Sequence, residues 1–97
     1  MKYLVWQMIL NRRGEMEMTK AENKRCEKLL DEAIRNATNA KEDFSKYERL
    51  LKDGKKVDAE CELRTADQEY GYADGIRQAL VCIGFTHERM NELDELL

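Results

Sequence analysis

At 97 residues the chain has room for one domain, and with no proline, five glycines and 38% charged residues it is neither a loop-rich scaffold nor a membrane protein. A net charge of −3 argues against direct nucleic-acid binding, which usually goes with an overall basic face. Three cysteines, with no CxxC pair and no histidine at zinc spacing, point to reduced thiols and a cytoplasmic setting.

Residues 1–17 form a segment of uncertain order. Tyr3 to Leu10 is apolar but too short to span a bilayer, and Arg12-Arg13 follow it rather than precede it, so no secretion signal is visible. A short strand or a helical turn packing Trp6 onto the body is one expectation. A natural start at Met16 or Met18 is the other.

The first helix is predicted over 19–53. Cys26, Leu30, Ala33, Ala37, Ala40, Phe44, Tyr47 and Leu51 recur at alternating steps of four and three, which makes one continuous seam, and Leu29, Ile34 and Leu50 widen it. Thr19 followed three residues later by Glu22 is a capping box at the start. Asp53-Gly54 supplies a left-handed stop, with Lys52 in the last turn where a cation suits the helix dipole. So long a helix needs a partner along its length.

A short turn leads into a second helix, predicted over 57–83 with Gly84 as its stop and Leu63, Ala66, Tyr70, Ala73, Ile76, Leu80 and Ile83 as its apolar positions. The turn makes the two helices antiparallel. Gly71, Gly75 and Ala79 recur every four residues, and the fold-back sets them level with Ala33, Ala37 and Ala40, so a close helix crossing is expected there. The competing expectation is a ligand cavity at the same place, with Tyr70, Tyr72, Asp74 and Arg77 as contacts. In this register Cys26 also falls opposite Cys82, as a buried reduced pair, and Cys61 opposite Tyr47. A third helix is predicted over 86–97, capped by Thr86 and with Met90, Leu93 and Leu97 on one face.

The fold expected is therefore all-α: a long antiparallel helical hairpin plus a short C-terminal helix, completed into a bundle by self-association, with a dimer favoured. From 19 to 56 there are 11 Lys/Arg against 8 Asp/Glu, and from 57 to 97 there are 3 against 10, so a basic arm is followed by an acidic one. No catalytic constellation, metal-ligand set or cofactor loop is present. There is one histidine, His87, and one serine. The leading functional expectation is a small intracellular binding or regulatory protein that acts by protein–protein contact, the acidic arm favouring a basic or nucleic-acid-handling partner that it inhibits. The alternative is a small-ligand, nucleotide-like binding or sequestering protein. In style the chain is similar to small reading frames of phages and mobile elements, including inhibitors of host defence, although no motif carries that similarity.

Overall fold

A computed structural model describes residues 18–97; the expectations for the amino-terminal segment lie outside them. The fold is a long antiparallel helical hairpin, α1 (Lys20–Lys52) and α2 (Lys56–Cys82), with a short third helix, α3 (Met90–Leu96), folded back at the open end. The body is 57 Å long and 18 Å thin. No strand occurs among the described residues.

Local chemistry fixes where the helices begin and end. Thr19 Oγ1 accepts from the Glu22 backbone N–H at 3.1 Å while Glu22 Oε1 accepts from the Thr19 N–H at 3.3 Å, so two of the first-turn donors are satisfied. At the far end Gly54 takes φ +76°, and the Lys55 N–H closes on the Leu50 carbonyl at 2.9 Å. The same stop is used a second time: Gly84 takes φ +77° and the Phe85 N–H reaches the Leu80 carbonyl at 3.0 Å. Both are left-handed turns that glycine enters without a Cβ clash.

The third helix begins four residues later than predicted, and Thr86 does not cap it. A threonine cap there would accept from the N–H of Arg89, three residues on. That N–H instead donates to His87 Nδ1 at 3.1 Å. His87 stacks on Phe85 with ring centroids 5.9 Å apart, and Phe85 is buried. Burying one aromatic ring thus keeps residues 85–89 out of the helix.

The core has two characters. At the open end Cys26, Leu30, Ile34, Leu80, Phe85 and Leu93 pack as one cluster, flanked by Met18, Ile76, Met90, Leu96 and Leu97. Toward the turn the buried positions are alanines: Ala40 from α1, Ala59 and Ala66 from α2. The run Ala79 to Ile83 is apolar around the whole helix. Only Leu80 is buried, because Phe85 and α3 cover a single side of it, and Val81 and Ile83 remain more than half exposed.

Candidate functional site

The buried positions of α2 are Ala59, Ala66, Ala73 and Leu80, spaced by seven. This spacing fixes what each neighbouring residue does. At about 100° per residue, Gly71 and Gly75 lie roughly 200° to either side of Ala73, which is the side away from α1. Among the described residues, a Cβ built on either glycine meets nothing within 4 Å beyond the helix's own local backbone. Ala33, Ala37 and Ala40 are buried in the seam of the hairpin, but Gly71, Gly75 and Ala79 face outward. The crossing expected between the two sets is not made within the chain: α2 turns its alanine face, not its glycine face, to α1.

Of the four residues expected to contact a ligand, Tyr70, Asp74 and Arg77 share one face of α2 beside the C-terminal segment, and Tyr72 lies apart from them. The Tyr70 hydroxyl donates to the Leu97 carbonyl at 3.0 Å, and Arg77 Nε donates to Asp94 Oδ1 at 2.6 Å. Both side chains thereby tie the C-terminal segment to α2, while α3 itself packs on α1. The Asp94 carboxylate holds the Arg77 guanidinium in its charged form, raising its pKa above the ordinary value, and Asp74 adds to this. Asp74 lies 3.7 Å from Arg77 Nη1 and accepts from Gln78 Nε2 at 2.9 Å. Only Tyr72, 53% exposed, presents its ring to solvent beside the glycines. One concavity among the described residues is an open groove of about 580 Å³ along α1, away from the glycines, lined by Arg25, Lys28, Leu29, Asp31, Glu32 and Arg35.

The thiols also part company. Cys26 is buried, and burial with the nearby Glu22 charge raises its pKa. Cys61 and Cys82 are free and exposed, 21 residues apart on the outer side of α2. The pairing of Cys26 with Cys82 is absent because register sets only the height of two residues, and Cys82, two positions beyond Leu80, points away from the seam.

One constellation escaped the search for apolar positions. Three residues after each buried alanine of α2 the seam is met again, and at 62 and 69 it is met by glutamates. Both are half-buried, as is Asp43 on α1. Lys46 Nζ stands 3.7 Å from Glu62 Oε1. Glu69 Oε2 is shut off from solvent and has no hydrogen-bond partner. Burial, then the hydrogen bond and charge of Asp43, then the charges of Glu62 and Glu42, push the Glu69 carboxyl up to about 7. The signal was in the sequence as a period of seven, but hydropathy alone skips a charged residue.

At the open end Arg89 pairs with Asp31 across the bundle and with Glu92 at 3.3 Å. Among the described residues no group of three or more His, Cys, Asp or Glu is placed to hold a metal ion, and no helix is long and apolar enough to cross a membrane. No protein-family model, curated protein or solved structure matches the chain.

Proposed function

We propose that the chain is a helical binding protein that acts by protein–protein contact through the outer face of α2. The observation that carries this reading is the exposed stripe of Gly71, Gly75, Ala79 and Ile83, recurring every four residues with the Tyr72 ring beside it and, among the described residues, nothing outside the helix's own local backbone within 4 Å of a Cβ at either glycine. Two glycines inside a helix cost roughly 1 kcal/mol each relative to alanine. A helix that retains them on an open face has its backbone available for close approach by another helix.

The edge of this stripe carries Glu60, Asp67 and Asp74, which favours a partner with a basic surface, such as a protein that itself handles nucleic acid, inhibited by occupation of that surface. A second copy is the other occupant of the same face, in an isologous dimer in which the two stripes cross.

Affinity capture with the wild-type chain and two variants, Gly75→Leu and the triple substitution Glu60→Gln, Asp67→Asn, Asp74→Asn, tests the reading. Circular dichroism verifies that each variant folds. A protein retained by the wild type and lost from both folded variants is the expected result. Equal retention by all three chains overturns it. Light scattering at micromolar concentration addresses the dimer separately: a dimer made monomeric by Gly75→Leu supports the second copy, and a wild-type monomer excludes it.

A further inference from the structure

The groove along α1 has a single wall. Every residue that lines it belongs to α1, so a second element is needed to close it. Its chemistry is basic around an apolar centre. Leu29 is 40% exposed, and Arg25, Lys28 and Arg35 join no ion pair among the described residues. Asp31 is engaged by Arg89, which leaves Glu32 as the groove carboxylate that opposes the three cations. A helix that fits here needs carboxylates along one flank and small residues opposite Leu29.

The outer face of α2 has that pattern. Lys28 and Arg35 lie on one flank of the groove and Leu29 on the other; Asp67 and Asp74 lie on one flank of the glycine stripe, with Tyr72 and Ala79 on the other. Antiparallel helices packed face to face bring corresponding flanks together. Seven residues, about 10 Å, separate Lys28 from Arg35 and also Asp67 from Asp74. With Asp74 level with Lys28 of a second copy, Asp67 is therefore level with its Arg35. Leu29 then falls between Gly71 and Gly75, beside Tyr72, where the missing side chains admit it. The match ends one heptad further on, where Glu60 comes level with Glu42.

We propose that the basic groove of α1 receives the outer face of α2 from a second copy, in a head-to-tail contact. This rests on the reading of that face as the contact surface, and gives it a seat. Two α2 stripes crossing each other are less well matched, since Asp67 of one copy then approaches Asp74 of the other, like against like. The two surfaces in contact are different, so each copy presents one and receives one, and the series closes as a ring or continues as a filament.

Charge exchange followed by light scattering at micromolar concentration tests the contact. One chain carries Lys28→Glu with Arg35→Glu, the other Asp67→Lys with Asp74→Lys, and circular dichroism verifies that both fold. The wild type associates, and each variant alone associates on the order of tenfold to a hundredfold more weakly. An equimolar mixture of the variants regains wild-type association, because reversed surfaces meet reversed ones and unchanged surfaces meet unchanged ones. If Asp74→Lys, beside Arg77, unfolds the chain, Arg35→Glu against Asp67→Lys makes the same exchange. A mixture that associates no better than its components overturns the proposal. A wild-type monomer overturns the second copy as occupant and leaves the α2 face to the affinity capture. Association lost on Gly75→Leu but unchanged by Lys28→Glu with Arg35→Glu overturns the groove as the seat, while the α2 face stands as the contact surface.

Discussion

The two ends of the hairpin are built from the same two helices but held by different means. At the open end Leu30, Leu80 and Leu93 are fully buried, and Phe85 closes over them. At the turn end the fully buried side chains are alanines, Phe44 and Tyr47 are only partly covered, and the polar members of the seam are Glu62, Glu69 and Asp43. Apolar burial is non-directional and insensitive to pH, whereas a carboxyl pushed up to about 7 by burial and neighbouring carboxylates ties the hold of its end to pH. One chain thus carries a fixed end and a conditional end.

The sharpest way to break this comparison is to remove one large side chain from each end. Leu30→Ala should destabilise by about 2–5 kcal/mol, the range for a fully buried leucine that leaves a cavity. Phe44→Ala, where the ring is half-covered and the site can collapse, should cost about half as much or less despite removing more atoms. Equal losses in urea unfolding would mean that the ends are held alike. Next in size is Glu69→Gln. The Glu69 carboxyl rises from 4.5 to about 7 on folding, so the stability linked to it is complete below pH 4.5 and lost as pH rises through about 7. Solvent partly reaches Glu69 and screens the effect, so Glu69→Gln should stabilise the chain at pH 8 by about 1.4 kcal/mol, the equivalent of tenfold, and be close to neutral at pH 5.

A smaller effect comes from the uncovered face of α2. With open space at the Cβ position and ordinary helical backbone, Gly75→Ala should raise stability by about 1 kcal/mol in a thermal melt. A fall instead would show that a neighbour already fills this face. Smallest of all, Tyr70→Phe removes the hydroxyl donated to the Leu97 carbonyl and should cost about 0.5 kcal/mol, with the loss confined to the last turn of α3.

How much was readable in advance depended on the range of the interaction concerned. Thr19 with Glu22 and Asp53 with Gly54 act within four residues, and both signals stand in the sequence as they stand in the fold. Thr86 carries a weaker local signal, a threonine with no glutamate three residues on, and fails, because burial of Phe85 and the bond from the Arg89 N–H to His87 decide the matter. The seam of α1 was legible because its apolar residues make it visible. That of α2 was half-legible: Ala66, Ala73 and Leu80 marked it, but Leu63 and Tyr70 drew the expected face to one side and hid Glu62 and Glu69. The tie from Arg77 to Asp94 was invisible, since periodicity does not say which side chains of α2 a helix folded back on α1 will reach.

The account rests on the contrast between the two ends, and native-state hydrogen exchange resolved by residue measures it most directly. Amides around Leu30, Ala33 and Leu80 should show protection close to that of global unfolding at both pH 5.5 and pH 8, after correction for intrinsic rates. Amides from Ala40 to Leu51 and from Ala59 to Glu69 should be less protected, and their protection should fall by about tenfold more than that of the open end between the two pH values. Protection that is uniform along both helices, or that changes equally at the two ends with pH, would contradict the account.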